Sequence, residues 1–205
     1  MPDQAEYGAK VLGRASKESG ATLQRADARQ NRERMLDAAD AVFAADGAEA
    51  SLDLVIRAAG VGRTTFFRHF PDRDCLLAAL LDRAIDEIEE QAGLAGDLVQ
   101  IISFMAEKMS WRAGLVEYWL AADTTHPVVA RAFARSVPIF EGVLRDAKAA
   151  GLCRDDLTPE DMAHFGRMLG GALRGKPANE RAQIAERAVE LLLNGYRARN
   201  GVQSP

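Results

Sequence analysis

"VGRTTFFRHFPDRD", Val61–Asp74, sets two phenylalanines side by side, follows them with Arg68, His69 and Phe70, and stops at Pro71. A proline disfavours helical geometry in the residue before it, so the element runs from about Gly62 to Phe70. On a helical wheel Phe66 and Phe70 lie one turn apart and, with Val61, face a core. Thr64, Thr65 and Arg68 then face away, with Phe67 and His69 on the flanks. Arg63 lies nearer the core by angle, but in the first turn a long side chain can swing past the helix end. Helix N-termini also attract phosphate through their free N–H groups and dipole.

The flanking sequence supplies what this element rests on. From Ala28, Met35, Ala38, Ala39, Val42 and Phe43 recur at three and four residues, and Asp46-Gly47 is the stop. A two-turn helix follows Ser51 as N-cap, with Leu52, Val55, Ile56 and Ala59 on one face, and ends at Gly60. Asp72 caps a longer helix through Leu76, Leu80, Ala84 and Ile88. Two short helices joined by a glycine-containing turn and resting on a first helix have the outline of a helix-turn-helix.

Charge sharpens the reading. The 205 residues carry a formal charge of -4, which excludes a globally basic nucleic-acid binder, so any affinity for phosphate has to be local. Between Val55 and Arg73 stand Arg57, Arg63, Arg68 and Arg73 against one acid, Asp72, a balance of +3. The quoted stretch sits in that island.

Residues 1–27 mix Gly, Ala, Ser and charge without helical period and read as a flexible arm, either a plain disordered tail or a segment reaching along DNA. Beyond Ala92 the pattern is again helical. Leu98, Ile101, Ile102, Met105 and Met109 form one stripe; Leu115, Val116, Trp119 and Leu120 form the next. Pro127 falls in the first turn of a helix that Pro138 is expected to kink or restart. Thr158, Pro159 and Asp161 spell a helix start, with Asp161 in place of the usual Glu or Gln of a capping box. The last helix carries Ile184, Ala188, Leu191 and Leu192.

Two strings imitate nucleotide-binding loops and fail. "GVGRTT" follows a helix where a strand is required and lacks its third glycine; the run from Gly170 through "GALRGKP" has Pro177 where magnesium needs Ser or Thr. Gly170-Gly171 reads better as a close approach of two helices, with a dimer interface as one place for it. There is no nucleophile elbow and no HExxH, and His69, His126 and His164 are scattered, so neither an enzyme nor a metal site is expected. Cys75 and Cys153 have no disulfide-framework or zinc spacing, no apolar run is long enough to span a bilayer, and a cytoplasmic protein without cofactor is the expectation.

"AAGVGRTTFFRHFPDRDCLLAAL" resembles the TetR-type bacterial transcriptional regulators, whose usual wording there is close to AGVSKGTLYRHFPSKEALL; the likeness covers about residues 30–85. "AAGLCRDDLTPEDMAHF" is similar to the C-terminal domain of one subgroup. The resemblance implies an all-α fold, with a three-helix helix-turn-helix DNA-binding domain over 28–82 and a helical effector-binding and dimerisation domain over 83–205. It implies a homodimer on a palindromic double-stranded DNA operator, released by a small-molecule effector.

Matched position by position, Arg63 and Thr64 fall on residues that approach base edges. Thr65, Phe67, Arg68 and His69 fall on positions that touch phosphates or groove walls, and Arg73 on a lysine that reaches the backbone; Ser51 joins this DNA-facing set. Arg63 suits bidentate pairing with guanine, and Thr64 a thymine methyl. Phe67 departs from the family tyrosine and has no hydroxyl for phosphate; Gly62 stands where a capping serine is common, and Leu54 and Ile56 replace the usual Asp and Ala. Phe104, Met105, Trp111, Trp119, Phe140, His164 and Met168 are the candidate effector contacts, against their plainer reading as core. The alternatives to a ligand-responsive repressor are a helical small-molecule-binding protein whose helix-turn-helix no longer binds DNA, and a constitutive regulator with a filled core.

Overall fold

The computed structural model describes residues 27–95, 97–122 and 125–194, so residues 1–26 of the arm lie outside the described residues. The described chain is helical and contains no strand. Helix α1 spans 27–46, α2 Leu52–Ala59, α3 Arg63–His69 and α4 Arg73–Ala95. Then follow α5 (Leu98–Trp111), α6 (Ala113–Ala121), α7 (Pro127–Ala149), α8 (Pro159–Leu173) and α9 (Ala178–Asn194).

Local chemistry sets the boundaries. Ser51 Oγ accepts the Asp53 N–H at 3.2 Å, and Asp72 Oδ1 accepts the Cys75 N–H at 2.7 Å, so both expected caps form. Gly60 closes α2 with φ 65°, a left-handed conformation that other residues adopt at a cost, and turns the chain into α3. Thr158 and Asp161 complete a reciprocal capping box at α8. Helix α7 continues through Pro138, so of the expected kink or restart there is no restart. The carbonyl that Pro138 leaves without a partner belongs to Ala134, an exposed residue, so water can satisfy it.

Two hydrophobic clusters divide the burial. The first joins Met35, Phe43, Val55, Phe66, Phe70, Leu76 and Leu80 from α1 to α4, and also takes in Leu115 of α6 and Ala132 of α7. The second joins Ile101, Phe140, Leu144, Phe165, Leu169 and Ala185 from α5 and α7 to α9. In the second, α5 lies along α9, while α4 runs along α7. Fully burying one such side chain is worth about 1.5–3 kcal/mol, so each cluster can hold its helices in register.

Small residues bring helices together in three places. A Cβ on Gly114 would fall 2.4 Å from the Phe43 carbonyl oxygen, which locks α6 against α1. One on Gly166 would meet the Trp119 ring at 2.9 Å, and one on Gly170 would meet Val116 at 2.9 Å. Gly170 therefore serves an approach between α8 and α6 within the chain, whereas Gly171 beside it is exposed, with nothing within 4 Å of a built Cβ.

Candidate nucleic-acid interface and cavity

Helix α3 is seven residues long and is held from below. Phe66 is 0% exposed and Phe70 1%, and their rings meet at 5.6 Å. Phe67 packs edge-on against Phe66 at 5.6 Å and remains half-buried. With these rings fixed, Arg63, Thr64 and Arg68 are exposed, and Thr65 and His69 are half-buried on the flanks. Gly62 precedes the helix without a side-chain cap.

The cations on this face are held differently. Arg63 donates to Asp53 of α2 and lies over the Phe67 ring at 5.5 Å, yet its side chain is 65% exposed. A surface pair of this kind costs little to exchange for another anion. Arg73 is spent inside the fold: its guanidinium donates to the carbonyls of Ala48, Glu49 and Ala50, the last at 2.7 Å, and lies over Phe43 at 5.8 Å. A direct reach to phosphate from Arg73 would require releasing those bonds. Burial lowers the pKa of His69, and the charges of Arg68 and Arg32 lower it further.

A cavity of about 150 Å³ lies between α4, α5, α6, α7 and α8. Of the expected effector contacts, Met105, Trp119 and Phe140 line it. The other four stand elsewhere. Trp111 is 70% exposed at the end of α5, and Met168 is 56% exposed on the outer side of α8. His164 is exposed near Asp161, and Phe104 lies half-buried under Lys108. Met and aromatic content identifies helical faces, but it does not say which face turns inward.

Sequence reading missed the polar rim. Arg112, between α5 and α6, lines the cavity and donates Nε–H to Asp40 of α1 at 2.9 Å; its two terminal nitrogens donate to Glu87 of α4 at 3.1 and 2.6 Å. Arg83 of α4 shares Asp40 at 2.5 Å, and Lys108 approaches Glu87 at 3.4 Å. Burial alone would raise the Glu87 pKa, but the bonds and charge of Arg112, then of Lys108, outweigh it and hold the carboxyl below its ordinary range. Burial would lower the Arg112 pKa, and Glu87 and Asp40 reverse that too. No sequence signal marks these partners, which lie 25 and 72 residues from Arg112.

A short exposed helix mounted on buried rings, tied by an ionic cluster to further helices around an apolar cavity, is the arrangement of a helix-turn-helix protein. The sequence profile described as "Bacterial regulatory proteins, tetR family" matches residues 35–80. The transcriptional repressor KstR of Mycolicibacterium smegmatis is 31% identical over 146 residues, 69% of this chain and 72% of that protein. Among solved structures, a TetR transcription regulatory protein from Mycobacterium vanbaalenii gives a TM-score of 0.60 at 26% identity, covering 85% of this chain and 99% of its own. A TetR transcriptional regulator from Streptomyces coelicolor gives 0.56 at 26% identity, covering 82% and 99%. The chain belongs to the TetR family of bacterial regulatory proteins.

Proposed function

We propose that the protein is a ligand-responsive repressor that binds a palindromic operator as a homodimer in the cytoplasm and is released when a small molecule enters the cavity between α4 and α8. The observation that carries this reading is the fixed orientation of α3: with Phe66 and Phe70 buried, its outer face offers Arg63, Thr64 and Arg68 to a major groove. Thr65, Phe67 and His69 flank the groove wall, while Ser51 and Arg73 support the approach by capping α2 and tying the 48–50 turn. The division of labour falls near residue 82.

Dimerisation is supported by the outer faces of α8 and α9. On α9 Ala185 and Val189 are buried and Ile184 and Ala188 pack against the second cluster, while Leu191, Leu192 and Leu193 are 44%, 38% and 42% exposed. With Met168 and the open backbone at Gly171, they suit a second copy of the same surface. Two recognition helices would then fall one helical turn of DNA apart.

Gel-shift titration with the intergenic DNA beside the gene, against random duplex, tests the proposal. Sequence preference is expected, and Arg63→Ala with Arg68→Ala should remove it; equal affinity for both duplexes refutes it. The missing hydroxyl at Phe67 and the uncapped Gly62 favour a second reading, a small-molecule binder without DNA function, in which the double variant changes nothing.

A further inference from the structure

The cavity has a composition that selects among effectors, and this deepens the effector reading on which it rests. Its volume of about 150 Å³ is small. An engineered cavity of about that size in another protein, lined by aliphatic and aromatic groups, stays dry and holds a benzene molecule. The wall here is of that kind, with Met105, Met109 and Met162 beside Trp119, Phe133 and Phe140. Thioethers adapt to an aromatic guest and make favourable contacts at the ring edge.

The charged groups of the wall are already committed. Three of the five Arg112 N–H donors go to Asp40 and Glu87, and Lys108 faces Glu87, so both cations are paired with carboxylates of the chain. A carboxylate entering beside them would be repelled by Glu87 and lose its hydration to cations that Asp40 and Glu87 already neutralise. Ser136 is the one small neutral hydroxyl in the wall, and it is 7% exposed. It donates its proton to the Phe133 carbonyl at 2.8 Å. A hydroxyl has one donor and two lone pairs, so what Ser136 has left to offer is acceptance.

We infer that the effector is a neutral single-ring aromatic molecule whose hydroxyl donates to Ser136 Oγ: a phenol, rather than an aromatic or aliphatic acid. Ligand-observed NMR and calorimetry at neutral pH, on the full-length protein, compare p-cresol, toluene, benzoate and dodecanoate. p-Cresol should bind about 3- to 10-fold more tightly than toluene, the range one net hydrogen bond supplies, with benzoate and dodecanoate weaker than both. Ser136→Ala should bring p-cresol and toluene to equal affinity. Ala163→Phe, which fills the space, should abolish both; if that variant does not fold, the near-isosteric Ser136→Ala decides alone. Binding of benzoate or dodecanoate at least as tight as p-cresol overturns the phenol assignment, as does silence from all four probes or a p-cresol preference that survives Ser136→Ala. Operator affinity in the same samples separates this from the effector reading. Release of DNA by any cavity-bound probe keeps that reading whichever class binds, and absence of sequence-specific DNA binding before any probe is added ends it.

Discussion

Arg112 donates its Nε–H to the Asp40 carboxylate at 2.9 Å, and through that bond the wall of the cavity is tied to the first helix of the helix-turn-helix unit. The same guanidinium holds Glu87 of α4, so one side chain touches the cavity and both helices that carry α3. An occupant that displaces Arg112 removes one tie between α1 and α4 and leaves Arg83 on Asp40 as the other.

Arg112→Ala should therefore leave two carboxylates without their shared partner and destabilise the protein by about 1–3 kcal/mol in urea unfolding. In a cycle with Asp40→Asn the two losses should not add. The pH dependence has a defined sign. The folded pKa of Glu87 lies below its ordinary 4.5, so its contribution is present above that value and is lost as pH falls through the lowered folded pKa. The variant should lack this acid limb. It should also bind ligand yet lose most of the coupling to DNA, which for an allosteric regulator amounts to about 5- to 150-fold.

Gly114→Ala tests the second link between the two units. Its Cβ would lie 2.4 Å from the Phe43 carbonyl oxygen and 2.8 Å from the Phe43 Cβ, and backbone cannot give way as a flexible side chain can. The expected cost is about 1–3 kcal/mol, with α6 pushed off α1 and operator affinity reduced. Gly62→Ser is the opposite case: nothing lies within 4 Å of a built Cβ, and the helix N-terminus lacks a cap. A thermal melt should show a gain of a few tenths of a kcal/mol, about the difference between Ser and Gly as caps.

What could be read from the sequence was local. Phe66 and Phe70 declare a buried face because four residues make one helical turn, and Ser51, Asp72 and the Thr158–Asp161 pair are caps whose partners lie two or three residues away. The cavity was legible only in part. Trp119 and Trp111 look alike in sequence, but one faces Gly166 across the bundle and the other is solvated, a difference set by how α5 and α6 rotate against α8. Arg112, Asp40 and Glu87 were invisible, since a charge network assembled from three helices has no period. Arg73 was read as a phosphate contact by position, and only the fold brings three carbonyls to its guanidinium.

Phe67→Tyr should strengthen operator binding. The ring is half-buried and edge-on to Phe66, so its packing can be kept while a hydroxyl is added at the rim of the α3 face. One new hydrogen bond to a charged phosphate oxygen is worth about 1.5–3 kcal/mol net. Fluorescence anisotropy on operator and random duplex should show both tightening by similar factors, because a phosphate contact carries no sequence information. A gain confined to operator would assign the hydroxyl to a base edge instead.

His69 gives the DNA complex a pH dependence of its own. In the free protein its pKa is lowered from 6.5, by burial first and then by Arg68 and Arg32, so the ring is neutral at pH 7. A phosphate brought against α3 favours the imidazolium and raises the pKa in the complex. Binding then takes up a proton, and operator affinity should fall as pH rises from the free-protein pKa to that of the complex, then level off. His69→Gln keeps a polar side chain that does not titrate and should flatten this limb while leaving affinity near pH 8 almost unchanged. Anisotropy titrations between pH 6 and 8 at fixed ionic strength check the sign; affinity that rises with pH would mean His69 meets no phosphate.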